Sequence, residues 1–236
     1  MNVLKRNARF LMAAGLTALA HAHGAIDRLQ QQFRLARSWG LSNVLVLHNL
    51  RDTLDTGMLP PESLELIDAA RDRWGLAIDI YRPDADAVSA YVANRGSAYA
   101  FYESLEARKA CCAIRKVEPL GRALAGKKAW ITGMRREQAE SRAGLEPVEV
   151  DPARRMMKYN PLADWSWDDI VAYAAAHDVP MNALYARGYV SIGCGPCTRA
   201  LRPGEHPRAA RWWWEQDGAG KECGLHVAPI SEGAPA

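Results

Sequence analysis

From Glu62 onwards the chain alternates helical and extended signatures, and this alternation restricts the folds open to it. In "ESLELIDAARDRW", Leu64, Ile67, Ala70 and Trp74 fall at helical spacing. "LAIDIYRP" follows as a short strand closed by Pro83. "LGRALAGKKAWITGMRR" reads as a helix, a Gly-Lys turn and the strand "AWITG", which runs into a polar loop. "DWSWDDIVAYAAAHDVP" reads as a helix with Ser166 as N-cap, Asp168 and Asp169 in its first turn, and Pro180 just beyond its end. Helices and strands in alternation predict an α/β fold, a parallel sheet flanked by helices on both faces. Ligands of such sheets sit at the carboxyl ends of the strands.

The length of 236 residues suits one α/β domain with a tail, or two small domains, and an apolar content of 49% supplies a normal core. With 30 basic against 27 acidic residues the net charge is +3, too balanced for a general nucleic-acid binder. No apolar run reaches the ~18 residues of a membrane span, so none is expected. The N-terminal stretch "KRNARFLMAAGLTALAHAHGA" has the look of a secretory signal. An amphipathic helix with Leu11, Leu16 and Leu19 on one face is the preferred reading. The cysteine chemistry also suits a reducing compartment, hence a cytoplasmic protein. After Arg202 the chain becomes rich in proline and glycine and reads as a tail rather than core. Three portions result: 1–53, 54–202 and a tail, 203–236.

The five cysteines are Cys111 and Cys112 in "KACCAIRK", Cys194 and Cys197 in "CGPC", and Cys223 in "KECGLH". An odd number argues against a simple disulfide framework. Four readings of the two pairs compete. A thioredoxin-like dithiol belongs early in a βαβ unit, and "CGPC" lies late and leaves "CC" unexplained. Structural zinc takes four cysteines, but adjacent ones reach a single ion only with a strained chain. An iron–sulfur cluster offers separate irons to neighbouring cysteines. Buried free thiols are the bland alternative. Cys223 sits apart, with Lys221 and His226 favouring a thiolate and Glu222 opposing it, which makes it a candidate nucleophile.

Six ordered stretches, "ACCAIRKVEPL", "ITGMRREQAESR", "YNPLADWSWDDI", "SIGCGPCTRAL", "HPRAARWWWE" and "KECGLH", together resemble the bacterial assimilatory adenylyl-sulfate (APS) reductases, a family that includes the phosphoadenylyl-sulfate (PAPS) reductases. The resemblance runs from Leu54 to His226. It implies a fold of the adenine nucleotide alpha hydrolase-like, PP-loop type. It implies reduction of adenylyl sulfate to sulfite and AMP in sulfate assimilation. Cys223 would attack the sulfur, and thioredoxin would reduce the resulting S-sulfocysteine. Cys111, Cys112, Cys194 and Cys197 would hold a four-iron, four-sulfur (4Fe-4S) cluster. In the family these pairs mark the cluster-bearing enzymes, which mostly use adenylyl sulfate; relatives lacking them use the 3′-phosphorylated nucleotide.

A phosphate joined to a sulfate calls for fixed cations, and guanidinium forks suit both. Lys116 follows the cysteine pair closely enough to lie between cluster and substrate. Arg208 and Arg211, at i and i+3 in "RAAR", would share a helical face, and Arg135 and Arg136 follow "AWITG" at the carboxyl edge of its strand. "LDTGML" matches the adenosine-side loop, where backbone groups of Leu54 and Gly133 would contact the base. "WWW" at Trp212–Trp214 reads as packing rather than base stacking.

The chain departs from the family at its start. Where the family has Ser-x-Gly-x-Glu/Asp, this chain keeps Ser38 and Gly40 but has Ser42 in place of the acid. Only "HNLRD" separates "NVLVL" from "TLDTG", too short for a helix and a central strand. The first βα portion therefore reads as shortened. The alternatives are a PAPS reductase, a catalytically impaired iron–sulfur protein, and a zinc-stabilised nucleotide-binding module. The sequence leaves a homo-oligomer open.

Overall fold

The structure, a computed structural model, describes residues 44–46, 52–75, 77–215 and 224–225. The N-terminal helix, Ser38, Gly40, Ser42, Lys221, Glu222, Cys223 and His226 lie outside the described residues.

Among the described residues, six short strands form two sheets. Strands β1 (Val44–Val46), β4 (Ala129–Ile131), β6 (Met156–Tyr159) and β5 (Val148–Asp151) stand side by side in that order. β1 and β6 run parallel to β4, and β5 closes the edge antiparallel to β6. β2 (Asp52–Leu54) and β3 (Asp79–Tyr81) pair in parallel as a separate two-stranded sheet. β1, from the portion 1–53, thus joins the sheet of the portion 54–202. Only five residues, 47–51, separate β1 from β2, and the two strands belong to different sheets. Five residues are too few for the crossover helix that parallel pairing of β1 with β2 in one sheet would need.

Helices follow the periodicity of the sequence. α1 spans Pro61–Trp74 and buries Ile67 and Ala70; α2 spans Ala85–Arg95, capped by Asp84. α5 spans Trp167–His177 and begins at a reciprocal cap, in which Ser166 Oγ accepts from Asp169 N–H at 3.0 Å and Asp169 Oδ2 accepts from Ser166 N–H at 2.9 Å.

The central helical run is not uniform. α3 (Leu105–Cys112) passes through one π-helical stretch, Ala113–Val117, into α4 (Glu118–Leu124). Pro119 explains the widening. It has no N–H to donate, and its ring crowds the carbonyl of Arg115, four residues earlier.

The core consists of several apolar clusters. One gathers Leu120, Ala123, Leu124 and Trp130 between α4 and β4. Another gathers Tyr91, Ala100, Phe101, Cys111, Cys194, Cys197 and Trp212. The second cluster corrects the reading of everything after Arg202 as tail. Ala210, Arg211 and Trp212 are buried in the body, while residues 202–204, His206 and Pro207 stay exposed. Trp213 stays half exposed, and Trp214 packs on Phe101 and Tyr102. Trp212 and Trp214 thus pack into the body.

Candidate active site

Three separate stretches of chain meet at the cysteines. Cys111 and Cys112 end α3 on its buried side, and Cys194 precedes and Cys197 ends a single 3-10 turn, Gly195–Cys197. The "LDTG" loop after β2 lies against both. Thr56 Oγ1 is 3.2 Å from Cys194 Sγ, and Gly195 N–H donates to Met58 O at 2.7 Å. Arg115, one residue before Lys116, donates to Thr56 O at 2.8 Å. The loop turns at Gly57 (φ +68), whose N–H donates to Asp55 Oδ1.

None of these four cysteines is in a disulfide, and all four are buried. Burial pushes the Cys197 thiol up to about 12, with the neighbouring Cys194 and Cys112 adding to the rise and Lys116 and Arg211 opposing it. Burial also raises Cys111, against the pull of Arg115. Among the described residues, no three or more histidine, cysteine or carboxylate side chains are grouped as the ligands of a single metal ion.

The stretch after Arg202 returns over the "CGPC" turn. Thr198 and Arg211 form an antiparallel bridge, Arg199 N–H donates to Ala210 O, and Trp212 N–H donates to Cys197 O. This corrects the helical reading of "RAAR". Residues 207–210 are a turn, Arg211 is in the bridge, and Trp212 takes a left-handed backbone (φ +44). Pairing with Thr198 holds the segment extended where a helix would need to continue. Arg208 and Arg211 nevertheless stay together, because both lie over the Trp212 ring, at 5.6 and 4.7 Å. On the same ring, at 4.4 Å, lies Arg108, fully buried and bound through Nε and Nη2 to Glu215 at 2.6 and 3.0 Å. That ion pair fastens the returning segment to α3.

Two adjoining cavities open beside the cysteines. The first, of about 280 Å³, is mainly apolar, lined by Leu54, Leu59, Leu66, Ile67, Leu120 and Trp130 among others. The second, of about 400 Å³, carries five cations, Lys116, Arg135, Arg142, Arg208 and Arg211, against one carboxylate, Glu137. Lys116, Tyr185, Ile192, Gly193 and Leu225 line both. Burial raises the phenol of Tyr185, so at neutral pH it is a protonated donor. Arg135 is held in the wall by Glu137 Oε2 at 2.8 Å and Trp165 O at 3.1 Å.

Of the residues singled out in the sequence, Lys116, Gly133, Arg135, Arg208 and Arg211 share the polar cavity, and Leu54 lies on the apolar one. Arg136 is not brought to either lining; its guanidinium pairs with Asp164. Cys223 is outside the described residues, but Gly224 and Leu225 follow it directly. Leu225 packs against the cluster of Leu120 and Trp130. Sequence reasoning missed Arg142, Tyr185, Trp167 and Arg115. Arg142 lay in a quoted motif, "ITGMRREQAESR", whereas nothing local distinguishes Tyr185.

The Phosphoadenosine phosphosulfate reductase domain matches residues 43–200. The chain belongs to that family. An adenosine 5'-phosphosulfate reductase of Burkholderia cepacia is 49% identical over 228 residues, covering 93% of this chain and 90% of the relative. A second, from Rhizobium tropici, is 52% identical over 174 residues, 74% of this chain and 96% of that one. The crystal structure of phosphoadenylyl-sulfate (PAPS) reductase from Candida auris, a phosphate complex, matches with a TM-score of 0.58 and 25% identity, over 72% of this chain and 89% of that chain. The reductase family and the helix-flanked parallel sheet of PP-loop type are thereby borne out. No helix among the described residues is long and apolar enough to cross a membrane.

Proposed function

We propose that this chain is an adenylyl-sulfate reductase of sulfate assimilation, working in the cytoplasm with thioredoxin as its reductant. The observation that carries the reading is the pair of adjoining cavities, one apolar and one lined by five cations, beside four buried cysteines. An adenosine fits the first, with the backbone of Leu54 on its wall, and the anionic phosphosulfate fits the second, near Gly133. Lys116, on the shared wall, sits where the two halves of such a substrate meet. Lys116, Arg135, Arg208 and Arg211 bind the phosphosulfate oxygens and stabilise the charge that develops on the departing AMP. Arg136, paired with Asp164, contributes from outside the lining.

Cys223 is the nucleophile. Its thiolate attacks the sulfur, the sulfur–oxygen bond to AMP breaks, and an S-sulfocysteine remains. One thiol of reduced thioredoxin then attacks the Cys223 sulfur and releases sulfite. The second thiol closes the thioredoxin disulfide and Cys223 is restored as a thiol. The same cations screen the approach of a thiolate to an anionic group.

Cys111, Cys112, Cys194 and Cys197 would hold a 4Fe-4S cluster. The donor set fits: four soft sulfur ligands, buried, with Arg115, Lys116 and Arg211 among the charges felt by Cys111 or Cys197. When bound, such a cluster would supply iron centres that take its cysteine ligands as thiolates.

The test is anaerobic purification followed by sulfite assay with adenylyl sulfate and reduced thioredoxin. Cys223→Ser should abolish sulfite and the sulfonated intermediate while iron and acid-labile sulfide stay. Sulfite release by Cys223→Ser would overturn the assignment of the nucleophile. Zinc without iron or sulfide would overturn the cluster, and a preference for the 3′-phosphorylated nucleotide in competition would overturn the substrate.

A further inference from the structure

Gly193 precedes the first cysteine of "CGPC" and lines both cavities. Its backbone lies outside the left-handed region, so conformation does not explain the glycine. Space does. A Cβ at this position would stand 2.5 Å from Cζ and 2.6 Å from Nη1 of Arg211, and closer still to Nη2. The guanidinium occupies the place a side chain would take.

The backbones of both partners are tied in place. Gly193 N–H donates to Thr198 Oγ1 at 3.1 Å, and that hydroxyl donates to Cys194 O at 2.9 Å, so the loop is tied across its own turn. Arg211 is 6% exposed, bridged to Thr198 through its backbone and stacked on Trp212. Its Nε has no hydrogen-bond partner among the described residues. A guanidinium buried to that degree on the wall of a cation-rich cavity, with a donor unused, is arranged for an anion. The part that yields to a new Cβ is the guanidinium, the far end of a flexible side chain.

We infer that Gly193 is a positioning residue: its missing side chain lets the Arg211 guanidinium rest against the cysteine loop and face the anionic half of the substrate. The inference rests on the adenylyl-sulfate reading and deepens it. Gly193 touches no reacting atom; it acts through Arg211.

The experiment uses the full chain, prepared anaerobically, with Cys223→Ser as the parent so that nucleotide binds without turnover. Adenylyl sulfate affinity is measured by equilibrium dialysis. Gly193→Ala should weaken binding about tenfold, the scale of one displaced charge-assisted hydrogen bond, with iron content and unfolding temperature unchanged. In an Arg211→Ala background the same glycine substitution should cost nothing further. Equal affinity of parent and Gly193→Ala overturns the inference alone. So does an undiminished loss in the Arg211→Ala background, or a loss of iron, which would tie the glycine to the cysteine loop instead. A parent that binds no adenylyl sulfate overturns the functional reading, and the inference with it.

Discussion

The two cavities share Lys116, Tyr185, Ile192, Gly193 and Leu225, yet opposite means shape their walls. The apolar one is made by close packing. Leu120 and Trp130 are nearly inaccessible, and Leu54, Tyr81, Met156 and Leu225 lean on them. The polar one is made by directed contacts: Arg135 tied to Glu137 and Trp165, and Arg208 and Arg211 stacked on an indole that Arg108 and Glu215 fix from behind. Packing is tolerant of small changes in shape, because neighbouring side chains relax into a gap. A buried ion pair is not, because removing one partner strands the other.

Arg108→Ala breaks that contrast most directly. It leaves Glu215, whose side chain is 6% exposed, charged and unpaired. A loss of about 3–5 kcal/mol in urea-induced unfolding is expected. A loss below about 1 kcal/mol would mean that the returning segment is held by packing after all. On the apolar side, Leu120→Ala should cost about 2–3 kcal/mol in the same assay. That is the low end for a buried leucine, because the site opens onto an existing cavity and can collapse in part.

The smaller effects sharpen the comparison at its edges. Ser166→Ala removes the cap of α5, whose first residue, Trp167, lines the polar cavity. About 1 kcal/mol should be lost in thermal unfolding. Glu205→Gln tests the turn from which the returning segment starts. Hydrogen bonds from Arg199 and from Arg202 N–H hold the Glu205 carboxyl at about 2 in place of 4.5. A carboxyl lowered on folding stabilises above its unfolded value and loses that contribution as the pH falls through its folded one. The variant should therefore unfold at a slightly lower temperature near neutrality, and the gap should close as pH drops from about 4.5 to about 2. A gap independent of pH would sink the ion-pair explanation.

What the sequence made legible was whatever is encoded locally. α1, α4 and α5 follow from apolar periodicity and a serine cap, and the cysteine pairs and most of the cavity cations lie in short motifs. The β5–β6 hairpin was not legible. Its strands carry Glu149, Asp151 and Lys158, and its turn places Arg155, a residue without turn preference, at φ +53. The packing of Ala210–Trp212 was hidden by surrounding prolines and glycines, since the contacts that bury it come from α3 and the "CGPC" turn. Nor does a sequence say which arginine of a cluster faces a cavity. Arg136 turned to Asp164, while Arg142 joined the wall.

The π-helical stretch at Ala113–Val117 bears on how such a chain can change over time. In a regular helix each residue turns the chain by about 100°. Deleting a residue from within α3 or α4 would turn the two flanks against each other by that amount. A π-helical stretch differs, because it holds one residue more than the regular path needs. Losing a residue between Ala113 and Val117 would return the run to a regular helix with α3 and α4 still in register. This is the stretch of the run where a change of length leaves Cys111 and Cys112 on the buried side.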